Sequence, residues 1–169
     1  MTTEPTRVLF VCLGNICRSP TVEQVFRDQA EKAGWAAQFV ADSAGTGGFH
    51  AGEPPDRRAI RHARERGYDI SGLRARQVGP ADFERFDLIL AMDALVLEGL
   101  QRIQKFSRGN RAELTLFLDF LPERKGQDVP DPYQGGPEGF EHVLDLAEQG
   151  STALLRELLK RKGMFGCGC

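Results

Sequence analysis

Cysteine is scarce in this sequence, and the positions of the few cysteines exclude a fold built on disulfide bonds. The 169 residues include 4 cysteines, at positions 12, 17, 167 and 169. Since residues 18 to 166 contain none, the chain has no disulfide framework of the kind that stabilises small secreted domains. We therefore expect a cytoplasmic protein whose thiols are reduced.

Long apolar runs and a strong net charge are absent as well. No apolar run approaches the roughly 20 residues that cross a membrane, and residues 1–7 are polar, without the apolar core of a signal peptide. The formal net charge of −2 gives no reason to expect nucleic acid or a membrane as a partner. The three histidines share no metal-ligand spacing with one another or with the cysteines, so no metal or other cofactor is predicted.

What the sequence does contain is a series of apolar segments that alternate with amphipathic ones. This alternation predicts a single α/β domain with a four-stranded parallel sheet flanked by helices on both faces. A chain of this length with 41% apolar residues fits one domain, which we place at residues 1–163, with residues 164–169 as a cysteine-containing tail. The predicted strands are residues 8–11, 38–41, 86–93 and 114–117, and the predicted helices are residues 21–32, 56–66, 94–104 and 140–158.

One short loop joins the first predicted strand to the first predicted helix. Residues 12–20 read Cys-Leu-Gly-Asn-Ile-Cys-Arg-Ser-Pro. A strand-to-helix turn directs several backbone N–H groups into one concavity, and the helix N-terminus adds a partial positive charge. This field favours a bound oxyanion and a thiolate at Cys12, which would then be a nucleophile near neutral pH. Arg18 offers a planar fork of donors that matches two oxygens of a phosphoryl group.

The other residues of the loop suit the same geometry. Gly14 permits close approach of the backbone, and Asn15 tolerates the left-handed region. Ser19 can cap the helix or donate its hydroxyl to the thiolate, and Pro20 suits the first helical position. The loop lacks the Gly-Lys-Ser/Thr of a Walker nucleotide loop. The spacing of Cys12 and Arg18 alone also fits a cysteine that is merely a small buried apolar residue.

Residues 12–20 resemble the signature loop of the low-molecular-weight protein tyrosine phosphatases, and further matches, such as Ser43-Ala44-Gly45-Thr46, span nearly the whole chain. The resemblance implies a metal-independent hydrolase of phosphotyrosine and other aryl phosphate monoesters that acts through a phosphocysteine intermediate. It also implies that Ser43 helps to hold Asn15 and the loop by hydrogen bonds. The substrate-binding residues that it implies in the loop are Leu13, Gly14, Asn15, Ile16, Cys17 and Ser19.

A proton donor for the leaving oxygen is needed besides Cys12 and Arg18, and Asp131 is the candidate. It lies in Val129-Pro130-Asp131-Pro132-Tyr133, where the two prolines reduce the entropy that is lost in placing it. A Pro-Asp-Pro surface turn is the alternative interpretation of this segment. The segment also resembles the general-acid loop of the family, which favours Asp131 over Asp128, the competing acid.

The resemblance further implies an apolar slot for a flat phenyl ring, formed by Leu13, Phe49 and Tyr133. Two positions depart from the family pattern. Leu73 stands where the family usually has a histidine that supplies a hydrogen bond, so that bond must be absent or replaced. Gln134 stands where a second aromatic residue often follows the tyrosine.

Several other residues have a structural interpretation beside a functional one. Asp56 and Asp93 are predicted to cap the N-termini of helices. Seven arginines between residues 57 and 76 form either a solvated helix face or a patch that recruits acidic phosphopeptides. Cys17 is either a buried structural thiol or the partner of Cys12 in a reversible disulfide that protects the nucleophile from over-oxidation.

Two other functions stay open on the sequence. An arsenate reductase of the same fold resembles the chain in this loop, although such enzymes relay oxidation through mid-chain cysteines, which are absent here. A non-catalytic phosphate- or metal-binding module could use the four cysteines. The partners expected for the phosphatase are phosphotyrosine proteins or small aryl phosphates, with no nucleic acid and no membrane, and we expect a monomer or weak dimer.

Overall fold

A four-stranded parallel sheet forms the centre of the molecule, as predicted. The computed structural model describes residues 4–164. The strands are β1 (Thr6–Cys12), β2 (Phe39–Gly45), β3 (Leu88–Ala91) and β4 (Glu113–Leu116), in the spatial order β2-β1-β3-β4. Because β1 lies between two neighbours, its carboxyl end opens at the middle of the sheet edge, where ligands bind in folds of this class.

Five α-helices cover the two faces of the sheet. They are α1 (Arg18–Lys32), α2 (Arg57–Glu65), α3 (Asp82–Arg85), α4 (Ala94–Gln104) and α5 (Pro137–Arg161), with short 3₁₀ turns at Ala36–Gln38, Phe117–Phe120 and Pro122–Arg124. Alternate residues of β1 enter different cores. Val8 and Phe10 pack with α1, α2 and α5, whereas Leu9 and Val11 pack with α3 and α4. Burial on both faces explains why this strand reads as a continuous apolar run.

The second strand is longer than predicted. It runs to Gly45 and not to residue 41, so Ser43 belongs to the strand and pairs with Phe10. Parallel pairing with β1 along seven residues overrides the weak strand propensity of Asp42, Ser43 and Gly45.

The first helix begins three residues earlier than predicted, at Arg18. Pro20 is therefore the third helical residue and not the first, which is tolerated because the first four N–H groups of a helix have no partner within it. Cys17 occupies the N-cap position without a side-chain cap, so Ser19 does not cap this helix. The last helix is longer than the predicted residues 140–158, since it runs from Pro137 to Arg161.

The chain ends of the described part tie the sheet to the last helix. Lys162 Nζ donates to the carbonyl oxygens of Glu4 and Gln38 at 3.0 and 3.2 Å. Cys167 and Cys169 of the predicted tail lie outside the described residues. Between residues 4 and 164, none of the helices combines the length and the apolar character that a membrane crossing requires.

Candidate active site

The loop of residues 12–18 leaves the carboxyl end of β1 and enters α1 directly. It places the Cys12 side chain, 2% exposed, at the base of a cleft. Cys12 Sγ lies 3.0 Å from Ser19 Oγ and accepts a hydrogen bond from the backbone N–H of Asn15 at 3.2 Å. Both groups, together with the N-terminus of α1, stabilise negative charge on this sulfur.

Asn15 stabilises the conformation of the loop through its backbone dihedral angle and the hydrogen bonds of its side chain. Its φ of 59° is the one positive value among the non-glycine residues of the described chain, and asparagine adopts this region more readily than most residues. Its amide Nδ2 donates to Ser19 Oγ at 2.8 Å and to Ser43 Oγ at 3.0 Å, and its Oδ1 accepts from the backbone N–H of Arg76 at 3.0 Å. The carboxamide is thus bonded at both its nitrogen and its oxygen.

A buried carboxylate completes this network and was not identified from the sequence. Ser43 Oγ donates to Glu23 Oε1 at 2.7 Å, and Arg27 on the next turn of α1 contacts the other carboxylate oxygen at 2.7 Å. The Glu23 side chain is 2% exposed. Burial raises the pKa of Glu23, and the bonds from Ser43 and Arg27 oppose that rise. In sequence, Glu23 looks like an ordinary polar position on an amphipathic helix.

Arg18 is buried and bonded at its guanidinium to two other segments. Its Nη1 donates to Asp93 Oδ2 at 2.5 Å and to the carbonyl of Val129 at 3.0 Å, and its Nη2 lies 3.7 Å from Asp131 Oδ2. Burial acts to lower the pKa of Arg18, but Cys12, Asp93 and Asp131 raise it above its usual value, so the guanidinium stays charged.

Asp93 has two functions, of which the sequence predicted one. Its Oδ1 accepts from the N–H of Val96 and caps α4, as expected, while its Oδ2 holds Arg18. Asp56 also caps its helix as predicted, since its carboxylate accepts from the N–H of Arg58 at 2.8 Å.

The two candidate acids are separated by the structure. Asp131 lies in the cleft beside Cys12, with its Oδ1 accepting from the N–H of Tyr133 at 3.1 Å and its side chain 48% exposed. Asp128 accepts from the N–H of Ala94 at 3.0 Å, at the start of α4, and does not line the cleft. Of the two, only Asp131 lines the cleft together with Cys12.

The cleft has a volume of about 270 Å³ and apolar walls near its mouth. Leu13, Phe49 and Tyr133, the three predicted walls, are 47%, 66% and 45% exposed. Asn15, Ser19 and Ser43 do not line it, and the Asn15 side chain is instead hydrogen-bonded to Ser19 and Ser43. The lining residues are Cys12, Leu13, Gly14, Ile16, Cys17, Arg18, Phe49, His50, Asp131, Tyr133 and Gln134.

One residue of this lining was not predicted. His50 received no role from the sequence, yet it lines the cleft, where its Nδ1 lies 2.6 Å from Glu53 Oε2. Gln134 supplies a polar wall at the place where the family often has a second aromatic residue. Cys17 also faces the cleft, and burial, with added effects of Asp56, Cys12 and Asp131, raises the pKa of its thiol.

The strand β2 passes so close to the loop that one glycine is required. A Cβ added to Gly45 would lie 2.7 Å from the carbonyl oxygen of Leu13, a distance that no real side chain adopts. The N–H groups of Thr46 and Gly47 donate to the carbonyls of Cys12 and Leu13 at 3.0 and 2.9 Å. These contacts fix the start of the loop against the neighbouring strand.

Comparisons with known proteins show the family of this chain. Residues 7–164 match the family model described as low molecular weight phosphotyrosine protein phosphatase. The chain is 46% identical over 151 residues to a low molecular weight protein-tyrosine-phosphatase of Streptomyces coelicolor, and the aligned residues cover 88% of this chain and 91% of that protein. It is 39% identical over 150 residues to the human low molecular weight phosphotyrosine protein phosphatase, covering 89% of this chain and 94% of that protein.

A solved structure leads to the same result. The crystal structure of a protein tyrosine phosphatase from Entamoeba histolytica superposes with a TM-score of 0.85 at 35% identity, covering 93% of this chain and 99% of that chain. The match in sequence covers the loop of residues 12–18, the segment of residues 129–134 and the strands that position them. The chain therefore belongs to the low molecular weight phosphotyrosine protein phosphatase family.

Proposed function

We propose that the chain hydrolyses phosphotyrosine in proteins and small aryl phosphates, with Cys12 as nucleophile, Arg18 as phosphate ligand and Asp131 as proton donor. The single observation that supports these assignments most strongly is the convergence of the three side chains in one cleft. They come from the end of β1, the start of α1 and a loop more than a hundred residues away.

In the first step the Cys12 thiolate attacks phosphorus in line with the leaving oxygen. The S–P bond forms as the bond from phosphorus to the aryl oxygen breaks, and Asp131 gives its proton to that oxygen. Arg18 and the loop N–H groups hold the three equatorial oxygens, on which the negative charge is spread. The phenol departs and leaves a phosphocysteine.

In the second step Asp131, now a carboxylate, takes a proton from a water molecule. The water oxygen attacks phosphorus, the S–P bond breaks, and the Cys12 thiolate is restored together with inorganic phosphate. The same carboxyl group thus works as acid and then as base. The half-exposed position of Asp131 suits this exchange, because water must reach it between the two steps.

Selectivity for aryl esters follows from the apolar side chains that line the cleft. Leu13, Phe49 and Tyr133 line it together with Cys12 and offer apolar surface to a phenyl ring. A phosphoserine side chain is shorter and brings no ring to these walls. We expect aryl phosphates to be hydrolysed faster than alkyl phosphates, and equal rates on both would contradict the proposal.

A pH–rate profile on p-nitrophenyl phosphate tests the acid. We expect the wild-type profile to show a limb that reports deprotonation of the acid, and this limb should be absent in Asp131→Asn. An unchanged profile in the variant would assign the proton to another group.

The alternatives make different predictions. Among residues 4–164 the thiols are Cys12 and Cys17, so an arsenate reductase relay would depend on Cys167 and Cys169, which lie outside the described residues. Consumption of thiol that depends on arsenate would support that activity. A metal-binding module would hold a metal after purification and show no aryl phosphatase activity that survives a chelator.

We further propose that residues 1–163 form the catalytic domain and residues 164–169 a tail, and that the enzyme is a monomer or weak dimer in the cytoplasm.

We also propose that Cys17 forms a reversible disulfide with Cys12 after Cys12 has been oxidised. Peroxide converts the Cys12 thiolate to a sulfenic acid, and attack by Cys17 sulfur then forms the S–S bond and releases water. Activity lost to peroxide should return with dithiothreitol in the wild type and not in Cys17→Ser.

A further inference from the structure

Arg58, in the first turn of α2, contacts three parts of the molecule at once. Its Nε and Nη2 donate to the two carboxylate oxygens of Asp56 at 3.1 and 3.0 Å, and Nη2 also donates to the carbonyl of Tyr133 at 2.9 Å. Its guanidinium lies 5.4 Å from the centre of the Tyr133 ring and 4.8 Å from that of Phe140, which is buried in α5. Contacts of this kind are favourable between arginine and aromatic rings.

Asp56 connects Arg58 to the loop of residues 12–18, which binds the phosphate in the function proposed above. The backbone N–H of Asp56 donates to the carbonyl of Ile16 at 2.8 Å, and its carboxylate is paired with Arg58. The hydrogen bond from Arg58 holds the pKa of Asp56 below its usual value. Ile16, Asp56, Arg58 and Tyr133 thus form a continuous chain of contacts from one side of the cleft to the other.

Hydrogen bonds hold the segment that carries Asp131 on both its N-terminal and its C-terminal side. On its N-terminal side, Val129 is bonded to the carbonyl of Met92 through its N–H and to Arg18 through its own carbonyl. On its C-terminal side, the Tyr133 carbonyl accepts from Arg58, while the Tyr133 N–H bonds to Asp131 itself. Without Arg58, residues 131–134 would lose this side-chain anchor to the helix that adjoins the phosphate-binding loop.

We propose that Arg58 is a positioning residue for proton donation. It acts through Tyr133 to keep the Asp131 carboxyl within reach of the leaving oxygen, and it holds the Tyr133 ring as a wall of the cleft. This inference rests on the function proposed above, in which Asp131 is the acid. Its physical basis is that a proton donor works only over hydrogen-bond distances, so a displacement of about 1 Å can lower a rate about 100-fold.

The basicity of the leaving phenol provides the test. A dinitrophenolate leaves readily without a proton, whereas a simple phenolate needs one, so displacement of the acid affects the second substrate far more. We expect Arg58→Gln to lower kcat/KM by about 10-fold to 100-fold on phenyl phosphate and by less than about 3-fold on dinitrophenyl phosphate. Loss of the Tyr133 wall would affect both substrates alike, so the ratio of the two values isolates the acid.

Two variants serve as controls for charge and shape. Arg57→Gln removes the same charge from the adjacent, exposed position on α2 and should leave both values near those of the wild type. Arg58→Lys keeps the charge but loses the planar fork and its ring contacts, so it should restore the ratio only in part.

In an Asp131→Asn background, Arg58→Gln should change the ratio no further, because the group that it positions is gone.

Equal losses on both substrates in Arg58→Gln would overturn the proposal, and so would a further change of the ratio in the Asp131→Asn background. If Arg58→Gln melts below the assay temperature, the ratio in Arg58→Lys carries the test, and a wild-type ratio there would overturn it. Failure of the proposed function has a different signature, which is a wild-type enzyme that hydrolyses neither substrate.

Discussion

The loop of residues 12–18 and the segment of residues 129–134 meet in one cleft, but they are built differently. In the loop, Asn15, Cys17 and Arg18 are at most 5% exposed, and Asn15 and Arg18 are bonded to several partners each. In the segment, Val129 and Pro132 are buried, while the residues between and after them are exposed. The loop depends on many mutual contacts, and the segment depends on its two ends.

This difference matches the chemistry proposed for each part. Stabilising the charge on a transferring phosphoryl group requires donors that are already in place and do not rearrange during the reaction. Proton transfer requires a group that water and the leaving group can both reach in turn. A buried loop and a half-exposed segment therefore suit their respective steps, and substitutions in the two regions should have different consequences.

The largest effect is expected at the nucleophile. Cys12→Ser replaces one small buried atom, so the fold and the binding of phosphate should persist, but the hydroxyl is not ionised at neutral pH. We expect the rate of aryl phosphate hydrolysis to fall by at least about 10⁴-fold. Release of inorganic phosphate measures it, with the melting temperature as a check on the fold. A variant that kept the wild-type rate would refute the role of Cys12.

The acid segment should tolerate loss of its carboxyl better than the loop tolerates loss of its thiol. Asp131→Asn should lower kcat about 10²-fold to 10³-fold, while a phosphocysteine still forms with a good leaving group. The matched control is Asp128→Asn, three residues earlier, which should change the rate by less than about 3-fold because Asp128 bonds the start of α4 outside the cleft. Equal losses in the two variants would mean that the segment as a whole, and not one carboxyl, carries the function.

Stability should show a contrast in the same direction, with the larger loss in the loop. Asn15→Ala removes three hydrogen bonds and leaves alanine in the left-handed region, so the free energy of unfolding should fall by about 3 kcal/mol. Gln134→Ala, in the exposed segment, should change it by less than about 0.5 kcal/mol. Urea unfolding of both variants measures these values, and similar losses in the two would remove the distinction between the regions.

The smallest effect is expected at Glu23, the buried carboxyl group that accepts a hydrogen bond from Ser43. Since burial raises the pKa of Glu23, the folded protein binds this proton more tightly than the unfolded chain does. The contribution of Glu23 to stability should therefore be greatest below its ordinary pKa and should decline as pH rises through the raised value. Glu23→Gln should abolish this decline, which appears as a pH-dependent difference in unfolding free energy between variant and wild type. A difference that did not vary with pH would show that Glu23 titrates normally.

The sequence predicted features that involve residues close together in the chain, and it did not predict features that join distant residues. The left-handed conformation of Asn15 and the caps at Asp56 and Asp93 were predictable because they involve residues a few positions apart. The bond of Asp93 to Arg18 and that of Arg58 to Tyr133 join residues 75 positions apart, so the spacing of residues carried no signal of them. The end of β2 was misplaced for the same reason, since pairing with a distant strand determines it.

The position of β1 has a consequence for the way the enzyme loses activity. Residues 8–11 pair with β2 on one side and with β3 on the other, and all four are fully buried. Such amides exchange with deuterium only when the whole domain opens, whereas those near residue 133 can exchange through local opening. Cys12 continues this strand, so warming should detach the proton donor before it disturbs the sulfur, and an enzyme warmed to just below its melting point should still react with thiol-directed phosphate analogues after turnover has declined.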